Sequence, residues 1–147
     1  MNINQFTLSS DDHKSVQIWG NTLVNFSGRG PTAECIVKPD IIAPGADIVS
    51  CMSLDYGLKH GRAWDMPVSA GYIKMSGTSM STPVVAGAVA LLLEKHPRLQ
   101  PNDVKYLLKK SAVNLYYPKN QQGWGALDIE ALLKYGGQYE RQLYGDF

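Results

Sequence analysis

The chain of 147 residues is 44% hydrophobic and 18% charged, which excludes a wholly disordered protein and supplies enough apolar side chains for one globular domain. Its 14 basic and 13 acidic residues nearly balance, so no net field would gather nucleic acid or an anionic membrane surface. The two cysteines, Cys35 and Cys51, are too few for a disulfide framework, and whether they pair is left open.

Four short apolar runs bounded by turn residues predict β-strands, at residues 16–19, 23–26, 47–51 and 72–75. Residues 38–45 include two prolines and predict an extended segment that ends in a turn. Residues 53–70 have no periodicity, which is typical of an exposed hairpin or insertion.

A long apolar helix is predicted directly after Ser79, with Pro83 in its first turn and Pro97 as its stop. No charged residue interrupts residues 84–93, so we expect other elements to cover this helix on all sides. The same run is about half the ~20 residues that a bilayer crossing requires, so no membrane partner is expected.

Two further helices are predicted in the C-terminal part of the chain. One begins at Pro101 and has an apolar stripe along one side. The other runs from a cap at Asp128 to Gly136-Gly137, which we expect to end it, and residues 138–147 are interpreted as a polar, aromatic tail. Strands followed by helices, without a repeat or linker, indicate an α/β arrangement.

Ser79 lies between a predicted strand and the start of the apolar helix, where the helix dipole and unpaired amides can stabilise an oxyanion. An isolated serine in such a place is more often a plain cap. Here, however, residues 77–83 followed by Val85-Ala86-Gly87 resemble the nucleophile signature of subtilisin-like serine proteases. The resemblance spans roughly residues 15–135 and includes the flanking segments at residues 26–31, 38–45, 95–97 and 123–128.

The resemblance implies that Ser79 is the catalytic nucleophile and that its backbone amide forms part of an oxyanion hole. Gly77 and Thr78 complete this nucleophile loop, and Ser76 and Ser81 support it. The implied activity is serine-type endopeptidase action on a peptide or protein substrate, without a cofactor. No metal is expected either, because the carboxylates are dispersed and no loop presents several oxygens at alternate positions.

The implied fold is the C-terminal part of a subtilisin-like three-layer α/β fold, with a mostly parallel sheet and a buried central helix after the nucleophile. We assign residues 1–137 to this part of the peptidase domain. The family is often secreted, yet the first residues lack a secretory signal and the free cysteines suit a reducing interior, so the compartment is left open.

A catalytic serine needs a histidine base and a carboxylate that orients it, and neither family motif occurs in this sequence. His13 lies in a charged turn, His60 in a loop and His96 at a helix end. Asp40 belongs to a turn and Asp128 to a helix cap. The chain is therefore expected to be inactive alone and to need an N-terminal half that carries the Asp and the His.

Two other interpretations stay open. A non-catalytic binding or decoy module would keep the protease shape, although the intact Gly77-Thr78-Ser79 argues against it. An esterase-type hydrolase would place its serine in Gly-x-Ser-x-Gly, and Met80-Ser81 does not supply the second glycine. Uncovered core surfaces would also permit self-association as a homo-oligomer.

Overall fold

The computed structural model describes residues 22–53, 66–69 and 71–144. Within these ranges, three strands and four helices follow in chain order: β1 (Ile48–Cys51), β2 (Met66–Ser69), β3 (Tyr72–Met75), α1 (Thr78–Lys95), α2 (Pro101–Ser111), α3 (Lys119–Gln122) and α4 (Ile129–Tyr144). The chain divides into two compact units. One comprises Met1–Ser27 with Pro44–Met80, and the other comprises Gly28–Ala43 with Ser81–Phe147.

The first unit contains a three-stranded antiparallel sheet in the order β1-β3-β2. The strands predicted at residues 47–51 and 72–75 are confirmed as β1 and β3. The strand predicted at residues 23–26 is wrong, because that segment forms a turn in which the Ser27 N–H donates to the Val24 carbonyl at 3.1 Å. The strand predicted at residues 16–19 lies outside the described residues.

The parallel sheet expected from the family resemblance is not formed by the strands that the structure describes. Their pairing is antiparallel throughout, with Ile48 opposite Met75 and Cys51 opposite Tyr72. In the second unit, a single parallel bridge joins Ile42 to Ala126. The mostly parallel sheet therefore stays a prediction.

Helix α1 begins at Thr78, so Ser79 is already helical and Pro83 lies in the second turn. The prediction that Pro83 occupies the first turn is wrong. The consequence is local: proline has no N–H, so the carbonyl of Ser79, four residues earlier, cannot receive its usual helical hydrogen bond. The helix ends at Lys95, as Pro97 predicts.

The core of the second unit is formed by one face of α1 together with α2 and α4. Leu92, Leu107 and Leu132 are fully buried, and Ala88 and Leu99 join them. The opposite face of α1 is exposed at Ala86, Gly87, Ala90 and Leu91. The described residues thus cover α1 on one side, and they alone do not provide the cover on all sides that was expected.

Helix α4 begins as predicted and ends later than predicted. The Asp128 carboxylate accepts a hydrogen bond from the Ala131 N–H at 2.8 Å, which confirms Asp128 as the cap. The helix continues through Gly136-Gly137 to Tyr144, so the predicted end at these glycines is wrong. Residues 138–144, interpreted as part of a tail, extend the helix instead.

Gly136 and Gly137 allow α4 to pack closely against α1 and do not end the helix. A Cβ at Gly136 would overlap Leu92 Cδ1 and lie 3.1 Å from His96 Cδ2, so only glycine lets α4 pass this close to the end of α1. One turn further, the Tyr139 hydroxyl bonds the Asp103 carboxylate at 3.0 Å, and its ring packs against Tyr106 on α2. These contacts stabilise the part of α4 that continues beyond Gly137.

Candidate active site

Ser79 lies in the first turn of α1, four residues after the end of β3, the central strand of the sheet. Its side chain is exposed. The loop Ser76-Gly77 makes the connection, and the Met80 N–H donates to the Gly77 carbonyl at 3.0 Å. The predicted nucleophile loop Gly77-Thr78-Ser79 is thereby presented between a strand and a long helix.

The electrostatics of this position favour a developing negative charge. Amides in the first turn of a helix have no carbonyl four residues earlier to bond, and their dipoles add to the positive end of the helix. No acidic residue occupies the first turn of α1 to neutralise that end. The backbone N–H of Ser79 therefore suits the stabilisation of an oxyanion beside its own hydroxyl.

The loop that precedes Ser79 is hydrogen-bonded to the turn Gly45-Ala46-Asp47. The Gly77 N–H donates to the Gly45 carbonyl at 2.7 Å. The Ser76 hydroxyl accepts a hydrogen bond from the Asp47 N–H at 2.8 Å. Ser76, which the resemblance marks as a supporting residue, therefore has a defined partner in the turn that leads into β1.

Ser81, the second supporting serine, bonds the preceding extended segment. Its hydroxyl donates to the Ala43 carbonyl at 3.0 Å. That segment is itself held, because the Ile42 N–H donates to the Gly125 carbonyl at 3.0 Å and the Leu127 N–H donates to the Ile42 carbonyl at 2.8 Å. The family-like segments around Ile42 and Gly125 are thus hydrogen-bonded to each other. The Ser81 hydroxyl connects the first of these segments to α1.

His96, the one histidine among the described residues, does not have the position of a general base. His13 and His60 lie outside the described residues. His96 follows the last residue of α1, a helix of 18 residues and hence about 27 Å long, with Ser79 in its first turn. The His96 ring packs against Gly136 and Gly137 instead.

The carboxylates considered from the sequence have structural partners. Asp40 forms an exposed ion pair with Lys38, and Asp128 caps α4. Glu34 is exposed, and hydrogen bonds from its own backbone and from Thr32 lower the pKa of its carboxyl, which favours the ionised form. Of the described carboxylates and imidazoles, none forms a hydrogen bond with Ser79.

Two features are absent from the described part of the chain: a cluster of metal-ligating side chains and a helix that could cross a membrane. No group of three or more His, Cys, Asp or Glu side chains lies together there in a way that could hold a metal ion. Among the helices of the described residues, none is long and apolar enough to cross a membrane.

Residues 15–125, more than half of the chain, match the subtilase family. The chain belongs to the subtilase family. The segment matched contains Ser79, its loop and the whole of α1. Membership agrees with the resemblance predicted from residues 77–83.

Two curated relatives and one solved structure illustrate the similarity. The chain is 44% identical to serine protease AprX of Bacillus subtilis (strain 168), in an alignment that covers 67% of this chain and 22% of that protein. It is 34% identical to minor extracellular protease Vpr of the same organism, over 78% of this chain and 14% of that protein. The CspB protease of Clostridium perfringens superposes with a TM-score of 0.61 and 31% identity, over 79% of this chain and 24% of that chain.

These similarities support an α/β subtilisin-like fold for this chain, and all three of the proteins named are proteases. The chain spans less than a quarter of the length of each of these three proteins. The protease activity of these proteins is therefore only proposed for this chain.

Neither the bond between Asp47 and Ser76 nor the left-handed backbone of Asp47, whose φ is 54°, was predicted from the sequence. The positive φ had a signal in the sequence, because aspartate is a residue type that tolerates positive φ in turns, and here it follows Gly45-Ala46. The strand β2 was also missed, within a segment interpreted as a hairpin or insertion.

Proposed function

We propose that this chain supplies the nucleophile of a subtilisin-like serine endopeptidase, and that Ser79 is that nucleophile. The observation that carries the proposal is the exposed Ser79 hydroxyl in the first turn of an apolar 18-residue helix, directly after a two-residue loop that leaves the central strand. A plain cap would need one hydroxyl at this point. It would not need the bonded loop before it.

The chemistry follows from this placement. Ser79 Oγ attacks the carbonyl carbon of a peptide bond while a base takes its proton, and the carbonyl oxygen becomes an oxyanion near the Ser79 N–H. The amine then leaves with that proton, and the acyl group stays on Oγ. Water, deprotonated by the same base, hydrolyses the acyl-enzyme and restores the hydroxyl.

The base and the carboxylate that orients it come from a segment other than these residues. The 147-residue sequence has neither family motif, and the one described histidine lies at the far end of α1. We therefore expect no appreciable hydrolysis by these 147 residues alone. The required partner is an N-terminal half of a subtilisin-like domain that carries the aspartate and the histidine.

The exposed face of α1 supports such a partner. Ser79, Pro83, Ala86, Ala90 and Leu91 recur at helical spacing and are all exposed. Their side chains are apolar or small, which lets another element approach closely. An element that covers this face lies next to Ser79, where a base is needed.

We also propose how the complete domain is arranged. With the partner in place, residues 1–137 complete a three-layer domain in which α1 is the buried central helix and the sheet is mostly parallel. The parallel bridge between Ile42 and Ala126 supports this arrangement. Residues 138–144 lengthen α4 beyond the proposed boundary.

Cleavage of an internally quenched peptide library tests the function. The chain is assayed alone and with the product of the coding sequence immediately upstream, and Ser79→Ala serves as the matched control. Cleavage that requires both parts and is lost in Ser79→Ala is the expected result. Binding of uncleaved peptides in both samples would instead favour the decoy module, and cleavage that survives in Ser79→Ala would refute the assignment of the nucleophile.

A further inference from the structure

The backbone pairing of β1 with β3 stops just before the nucleophile loop. The ladder runs from Cys51 opposite Tyr72 to Ile48 opposite Met75. The next residue on the β1 side, Asp47, has a φ of 54°, which takes its backbone out of strand geometry. The regular pairing of the two strands therefore ends at Ile48 and Met75.

A side chain takes over where the ladder stops. The Asp47 N–H donates to Ser76 Oγ at 2.8 Å, and one step further the Gly77 N–H donates to the Gly45 carbonyl at 2.7 Å. The two residues that precede Thr78 are therefore each bonded to the same three-residue turn. Ala46 in the middle of this turn is buried, so the turn is a packed support rather than a loose loop.

The ion pair beside this bond contributes little to the support. The Asp47 carboxylate lies 3.9 Å from Lys74 Nζ, and both side chains are largely exposed. Exposed pairs of this kind contribute little because water screens them and two side chains must be ordered. The backbone N–H of Asp47 and the hydroxyl of Ser76, not the charges, connect the turn to the loop.

We infer that Ser76 is a positioning residue for Ser79: its hydroxyl, held by the Asp47 N–H, fixes the start of α1 and thereby the direction of the nucleophile. This inference rests on the proposed function. Reacting groups must be held within a fraction of an ångström, and a displacement of about 1 Å can cost on the order of 100-fold in rate. Loss of this bond should therefore slow acylation without changing the affinity for a substrate or probe.

Three variants separate the bond from its surroundings. Ser76→Ala removes the acceptor. Ser76→Thr keeps a hydroxyl, and the exposed position of Ser76 leaves room for its methyl group. Asp47→Gly removes the carboxylate and its ion pair but keeps the donating N–H, and glycine adopts a φ of 54° freely.

The first measurement is amide hydrogen exchange of Asp47 in the 147-residue chain. We expect exchange at least about tenfold faster in Ser76→Ala, and near wild-type exchange in Ser76→Thr, because the amide loses its acceptor only in the first variant. Thermal melts of the same samples show that each variant is folded. Equal exchange in wild type and Ser76→Ala would overturn the bond itself, whatever the activity of the protein.

The second measurement is the rate of Ser79 labelling by a fluorophosphonate probe, in the protein that joins this chain to the upstream Asp and His portion. Ser76→Ala should lower the maximal labelling rate about 10- to 100-fold with an unchanged half-saturating probe concentration, while Ser76→Thr and Asp47→Gly stay within about threefold of wild type. A wild-type rate in Ser76→Ala would overturn the positioning role while leaving the proposed function intact. Absence of labelling in the wild type would refute the proposed function and the positioning role together. The exchange experiment would still test whether the hydrogen bond between Asp47 and Ser76 forms.

Discussion

Gly136 on α4 lies directly against the Leu92 side chain on α1. A Cβ at position 136 would overlap Leu92 Cδ1 and crowd His96 Cδ2 at 3.1 Å. The contact belongs to the fully buried part of the core, because Leu92 has no exposed surface. The close approach of the two helices therefore depends on the absence of a side chain at one position.

The first prediction concerns this pair of helices. Gly136→Ala should lower the free energy of unfolding by about 1–3 kcal/mol, because the added methyl group overpacks the core. Gly137→Ala is the matched control: its Cβ would meet His96 Cε1 at an ordinary 3.6 Å, and alanine favours a helix over glycine by up to ~1 kcal/mol. Urea denaturation of both variants checks the prediction, and a Gly136→Ala protein as stable as Gly137→Ala would contradict the packing.

The second prediction compares two neighbouring leucines of α1. Leu92 is 0% exposed and Leu91 is 47% exposed. Leu92→Ala should therefore cost about 2–5 kcal/mol of unfolding free energy, through lost burial and a cavity. Leu91→Ala should change it by less than about 0.5 kcal/mol in this chain. Comparable losses in the two variants, measured by thermal melts, would show that both faces of α1 are covered.

The third prediction tests the C-terminal extension of α4. Tyr139→Phe removes the hydroxyl that bonds Asp103 at 3.0 Å and should lower the free energy of unfolding by about 1 kcal/mol. Tyr116→Phe is the control, because Tyr116 is 92% exposed and should change nothing measurable. If the residues after Gly137 formed a loose tail, the two variants would melt at the same temperature.

The fourth prediction separates the chain alone from the completed domain. A Cβ at Gly87 meets nothing within 4 Å, so Gly87→Ala should stabilise the chain alone by up to ~1 kcal/mol through helix propensity. If an upstream half covers the exposed face of α1, the same methyl group should crowd it and reduce peptide cleavage by the two-part protein. Glu94→Ala, further along the exposed side of α1, serves as a control for general effects on that face. Equal cleavage by Gly87→Ala and wild type would place the partner elsewhere.

The sequence predicted the elements whose signals are local. Pro97 ended α1, Pro101 began α2 and Asp128 capped α4, because a proline or a capping side chain acts on its own turn of backbone. Glycines in a helix are ambiguous by comparison. Gly136-Gly137 was interpreted as a stop, and only the position of Leu92 in space shows that the missing side chain is needed for packing.

The candidate site was predicted in part for the same reason. Ser79 and its loop were predicted from a contiguous motif, and the subtilase match of residues 15–125 confirms the family from which that prediction came. The bond between Asp47 and Ser76 joins residues 29 positions apart, and neither residue signals the other in sequence. The apolar character of α1 indicates that other elements cover the helix. It does not indicate which face of α1 the described residues leave exposed.

The most direct test of the central claim is fluorophosphonate labelling followed by peptide mapping, on the chain alone and after mixing with the upstream half. We expect the probe to attach to Ser79 in the mixture and to be absent from the chain alone. In the mixture, Ser79→Ala should lose the label and Ser81→Ala should retain it. Attachment to another serine, or no attachment in the mixture, would contradict the assignment of Ser79 as the nucleophile of a subtilisin-like protease.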